Sequence, residues 1–111
     1  MSSFFKSDLN PLFQLSTRKY DEEIVLVTQA LIDLENECNV KNGYQIEEPF
    51  TKFGWTFFKL AFKPNLQTGI EKEFSDMLQK YRWSDQSQKF AKFIEDYFNS
   101  RNCKVKVKIV D

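Results

Sequence analysis

One stretch near the end of the chain alternates without a fault: Lys104, Lys106 and Lys108 take every second position around Val105, Val107 and Ile109. Successive side chains of a β-strand point to opposite faces, so a period of two predicts a strand over residues 103–110 with one apolar and one lysine-bearing face. A chain holding such a strand must build a sheet that is dry on one side and wet on the other. Residues 55–62 obey the same rule, with Thr56, Phe58, Leu60 and Phe62 alternating with Trp55, Phe57, Lys59 and Ala61. Here the second face is half apolar, which predicts a covered sheet or a partner. Tyr44 to Glu48 reads as a further short strand after the turn signalled by Asn42-Gly43, and Pro49 and Gly54 interrupt the chain before the long strand.

The helical period appears elsewhere. Tyr20 to Cys38 contains no Gly or Pro, and Ile24, Val27, Leu31, Leu34 and Cys38 recur at three- and four-residue intervals. That predicts a helix of about five turns. Asp21, Glu22 and Glu23 fall in its first turn, where unpaired N–H groups favour carboxylates. Thr68 and Glu71 match a capping box ahead of an amphipathic stripe of Ile70, Phe74, Met77, Leu78 and Tyr81. A further helix starting at Ser84 or Asp85 presents Phe90, Phe93, Ile94, Tyr97 and Phe98, and the two are expected to form a hairpin. Phe4, Phe5, Leu9, Leu12 and Phe13 predict a short first helix over residues 3–15, with Pro11 in its first turn. The expected architecture is a single α+β domain over residues 1–111, ordered α-α-β-β-α-α-β. A small, mostly antiparallel sheet of about three strands packs against the helices. Phe58, Leu60, Phe74, Leu78, Phe90, Ile94, Val105 and Val107 are the expected core.

Composition narrows the chemistry more than the fold. A chain of 111 residues buries roughly two thirds of its unfolded surface, so it needs neither disulfides nor a metal to hold a core. Aromatic residues make up 16% of it, enough to build a small core or a sticky interface. Histidine is absent, which removes Ser-His-Asp, Cys-His and HExxH catalysis. Cys38 and Cys103 form no CxxC pair and are expected to be buried free thiols. Gly43, Gly54 and Gly69 are too isolated to cradle phosphate, and Glu47-Glu48 would point to opposite faces of a strand. No enzyme, cofactor or metal site is expected. Lys6, Asp8 and Pro11 break the first fifteen residues as a signal peptide or membrane span, so cytoplasmic residence is the expectation.

The sixteen basic and sixteen acidic residues cancel overall but not locally. Residues 21–48 carry eight acids (Asp21, Glu22, Glu23, Asp33, Glu35, Glu37, Glu47, Glu48) against Lys41 alone. Such a block creates a field that speeds encounter with a cationic protein. Helical spacing lets Glu22, Asp33 and Glu37 share one flank. The expected function is therefore a small protein-binding inhibitor of the immunity-protein or antitoxin type, a likeness of kind rather than of ancestry. It would neutralise a basic, nuclease-type toxin by occluding its active or nucleic-acid-binding site. Glu22, Asp33, Glu37, Glu47 and Glu48 would meet the toxin's cations, and Tyr44, Phe53 or Trp55 would anchor the complex. A monomer or weak homodimer is expected.

The alternatives are a nucleic-acid or transcription-associated module using the lysine-bearing sheet, and a homodimeric accessory subunit joined through the aromatic strand. Lys52-Phe53-Gly54-Trp55-Thr56-Phe57-Phe58 displaces the glycine of an RNA-recognition signature by one residue. Lysines on an exposed strand also serve to block edge-to-edge pairing. Nucleic acid is thus the weaker expectation.

Overall fold

The structure, a computed structural model, describes residues 12–81 and 86–110. Its elements run β1 (Leu12–Thr17), α1 (Tyr20–Glu37), β2 (Tyr44–Ile46), β3 (Phe50–Lys52), β4 (Trp55–Phe62), α2 (Pro64–Glu73), α3 (Ser75–Lys80), α4 (Gln86–Asn99) and β5 (Lys106–Ile109). The fold is α+β, with an antiparallel sheet of five strands. β4 and β1 lie at the centre and β5 at one edge, while β2 and β3 pair with successive parts of β4 along the other.

Residues 12–15, expected to end a helix, instead form β1, and the rest of that expected helix lies outside the described residues. Two periods compete in this segment. Phe13, Leu15 and Thr17 alternate in burial with Leu12, Gln14 and Ser16, and pairing with strands on both sides satisfies the backbone as a helix would. β3 also went unseen, because Pro49 reads as a break although proline is tolerated beside an edge strand. At the other end of the chain, the lysine strand shortens to residues 106–109. The amides of Cys103 and Lys104 are drawn away to the Phe98 carbonyl at 3.0 Å and the Glu23 carboxylate at 2.7 Å.

Thr68 does not cap a helix. α2 opens at Pro64 behind Lys63, where a proline loses no hydrogen bond and its fixed φ suits the first turn, and Thr68 sits mid-helix. The expected stripe then breaks at Phe74, whose φ of −118° separates α2 from α3. α1 matches the predicted helix closely and ends in a Schellman turn. Asn39 takes a φ of 56°, its N–H donates to the Asn36 carbonyl, and the Val40 N–H donates to that of Glu35 at 2.9 Å. The same turn closes the end of α4, with Asn102 at a φ of 62° and the Cys103 N–H returning to Phe98. Both turns deliver an apolar residue, Val40 or Cys103, back to the core.

Every buried side chain of the five strands points to one face of the sheet, and none on the other face is buried. Phe13, Leu15, Phe58, Leu60 and Phe62 meet Val27, Leu31 and Leu34 of α1 and Phe90, Phe93, Ile94 and Phe98 of α4 in one cluster. The expected core is present, with Phe74 and Val107 at its margin. Gly43 is a glycine because its neighbour is too close for anything larger: a Cβ there would lie 2.5 Å from that of Leu66.

Candidate functional site

Half of the acidic block is engaged in contacts within the molecule. Arg101, placed by the turn after α4, reaches across to α1, with Nε 3.4 Å from Asp33 and Nη2 3.4 Å from Glu37. Its guanidinium also covers the Tyr97 ring at 3.8 Å, and the Tyr97 hydroxyl donates to Glu37. Burial and that hydrogen bond push the Tyr97 phenol well above its ordinary range. Glu35 accepts the Gly43 N–H at 2.7 Å, fixing the loop that enters β2, and Glu23 accepts that of Lys104. Four of the helix carboxylates therefore brace the fold. Charge reversal at Asp33 or Glu37 disturbs that bracing and cannot serve as a clean probe of docking. Among the sequence-predicted acids, Glu22, Glu37, Glu47 and Glu48 stand exposed, and of these Glu22, Glu47 and Glu48 are outside the Arg101 contacts.

Tyr44 departs from its expected role as an anchor. It pairs with Phe62 on the inner face, half-buried against the core, and burial together with Glu35 raises its phenol pKa.

Phe53 and Trp55 occupy the opposite end of the sheet. Lys52 and Trp55 pair across β3 and β4, leaving Phe53-Gly54 as a two-residue hairpin turn with φ values of 54° and 80°. Positive φ at both positions is the pattern of a type I′ turn, normally filled by Asn-Gly because a bulky side chain is strained there. The other three described non-glycine residues with positive φ are all Asn. Phe53 is also 88% exposed, and the Lys52 ammonium over its ring at 5.4 Å, worth about 0.5–1 kcal/mol at an exposed site, does not match the strain, which typically costs about 1–3 kcal/mol. Beside the hairpin lies an open groove of about 700 Å³, lined by Arg18, Lys19, Asp21 and Glu22 from the start of α1 and the turn before it, and by Pro49, Thr51 and Gly54 from the hairpin.

The outer sheet face is organised in rows set by the strand register. Phe50, Phe57, Ser16 and Lys106 form one row, with the Phe50 and Phe57 rings stacked at 5.3 Å. Lys59, Gln14 and Lys108 form the next. At the hairpin end, Arg18 and Lys106 both rest over the Trp55 ring, at 5.5 and 5.4 Å. Sequence reasoning saw the half-apolar face of β4 but missed its neighbours Arg18, Gln14 and Phe50. Only register shows which residues stand side by side, and β1 had been read as helix.

Cys38 and Cys103 are buried and unpaired, as expected. Burial, with the nearby carboxylates Glu73 and Glu37, pushes the Cys38 thiol up to about 11. Burial and Glu23 push Cys103 up to about 12. A thiol held protonated at neutral pH is a poor nucleophile. Among the described residues, no three His, Cys, Asp or Glu side chains gather as a metal site, and no helix is long and apolar enough to cross a membrane. The chain matches no protein-family model, no curated protein and no solved structure.

Proposed function

We propose that this chain is a protein-binding inhibitor of the immunity-protein or antitoxin type, and that the β3–β4 hairpin is its anchor. The observation that carries the reading is Phe53. A large apolar ring held in a strained turn and displayed to solvent has no use in the monomer, whereas a ring already fixed in place loses little entropy on entering a partner's pocket. Asp21 and Glu22 border the groove beside it, and Glu47 and Glu48 lead into β3. This end of the molecule thus offers an aromatic anchor flanked by acids and by the cations Arg18, Lys19 and Lys52, and the acids suit the cationic active site of a nuclease-type toxin. Asp33 and Glu37 sit eleven and fifteen residues beyond Glu22, about 16 Å or more along the helix, and contribute little to that contact.

The test uses the intact chain as bait, followed by kinetics and activity assays with the captured partner. A basic protein whose activity the chain suppresses is the expected partner. Phe53→Asn should stabilise the free chain by about 1 kcal/mol by relieving the turn, yet speed dissociation of the complex at least about tenfold. Glu22→Lys with Glu47→Lys and Glu48→Lys should slow association and remove its salt dependence. Wild-type kinetics in both variants would overturn the reading, as would a partner that stays fully active when bound.

A further inference from the structure

We infer that the outer face of the sheet is a second binding surface, and that its ligand is single-stranded nucleic acid. Arg18, Lys52, Lys59, Lys106 and Lys108 stand on or beside this face, drawn from four different strands or their ends. None of the five has a carboxylate ion-pair partner among the described residues, in contrast to Lys92 and Arg101. The carboxylates near them are Asp21, Glu22 and Glu23, which share groove linings with Arg18 at the hairpin end, Glu47, whose N–H pairs with the Lys59 carbonyl, and Glu95, at the rim of a groove of about 580 Å³. That groove has Trp55 and Phe57 on its floor and Lys106 and Lys108 along its wall, with Gln14 and Ser16 between them.

Edge protection explains part of this arrangement. β5 is an edge strand, and Lys106 and Lys108 are well placed to deter pairing with another sheet. It does not explain Lys59, which sits on the central strand β4, nor the aromatic rings interleaved with the cations. Cations without ion pairs around half-buried rings complement a polyanion whose subunits carry flat π-faces. The rings supply stacking and the lysines reach the phosphates.

Strand geometry selects a single strand over a duplex. Trp55 and Phe57 are two residues apart on one face of β4, a spacing of about 7 Å, roughly twice the 3.4 Å rise between stacked bases. Bases must be splayed apart to use both rings, and a paired helix cannot do that without melting. Arg18 and Lys106, now resting on Trp55, are long enough to swing from the ring to the backbone of a strand whose base takes their place.

The test is fluorescence anisotropy with labelled oligothymidylate, alone and as its duplex with oligoadenylate, across a salt series. The single strand should bind, with the duplex weaker by about tenfold or more. Phe57→Ala should weaken single-strand binding about tenfold, with folding checked by circular dichroism. Lys106→Gln with Lys108→Gln should flatten the slope of log K against log salt by about 0.7 for each phosphate contact removed. The exposed pair Lys72 and Lys80, on α2 and α3, changed to Gln serves as the control and should leave both affinity and slope unaltered. Three results would each overturn the inference: no single-strand binding at low salt, equal affinity for the duplex, or equal losses in the control and the outer-face variants. So would a self-associating chain whose dimer is lost in Phe57→Ala, since the second copy would then be the occupant. The assay needs no toxin, so its outcome is independent of the inhibitor reading.

Discussion

The acidic flank of α1 and the outer face of the sheet carry charge of opposite sign, and they use it in opposite ways. On α1, Glu23, Asp33, Glu35 and Glu37 are bonded to Lys104, Arg101, Gly43 and Tyr97, so the charge that dominates the sequence is largely committed to holding elements together. On the sheet, the cations are scattered over separate segments of the sequence, yet none is in an ion pair among the described residues. Local net charge is a poor guide to a binding surface. What matters is whether each charge already has a partner, because a partner within the fold fixes the group's position and part of its acceptor capacity.

The sharpest test of this contrast compares two neighbours on β4. Phe58 is 1% exposed and packs edge-on against Tyr20, and Phe58→Ala should cost about 3–5 kcal/mol. Phe57→Ala, one residue away on the outer face, should cost only about 1 kcal/mol, in the range of a cross-strand pair. Urea unfolding midpoints decide it, and similar losses would mean that the outer face is covered.

Glu37→Lys comes next in size. It would set an ammonium beside Arg101 and leave the hydroxyl of the buried Tyr97 without its acceptor, at a cost of about 1–3 kcal/mol. A stability equal to wild type would show that the acids of α1 are uncommitted after all.

Alkaline pH probes the same committed groups. Cys38, Cys103, Tyr81 and Tyr97 all have folded pKa values above their ordinary ones, so the unfolded chain gives up these protons first. Stability should hold up to about pH 9 and then fall through the folded values of about 11 and 12. Each group contributes a slope of about 1.4 kcal/mol per pH unit within its own window. Chemical denaturation from neutral pH to pH 11 measures this, and a flat profile would contradict the burial of these groups. The smallest effect is expected on the uncommitted side, where Lys106→Glu should stay within about 0.5 kcal/mol of wild type by the same assay.

Periodicity alone was enough for α1, β4 and the terminal strand. Their hydrophobic repeats run long enough that only one secondary structure buries them, and the α+β class followed. The core was legible for the same reason, since Phe58, Leu60, Phe90 and Ile94 each sit in phase with their element. Short segments were not legible. Leu12 to Leu15 fits either period, and only the presence of β4 and β5 on its two sides made it a strand. Phe50 to Lys52 exists as β3 because β4 offers it a backbone to pair with, a partner that lies beyond the reach of local propensity.

For the candidate site the division is similar. The sequence by itself determined which residues are chemically able to bind: the aromatics, the lysines and the acids, with histidine chemistry absent. Only the tertiary structure decided which of them are available. Arg101 is 64 residues from Glu37 in the chain, and folding brought the two together. Phe53 was one aromatic among many until the hairpin set it at a strained tip with almost no neighbours. Partnership between charges and exposure of rings are long-range properties, fixed by how distant segments pack, and a linear pattern carries no term for them.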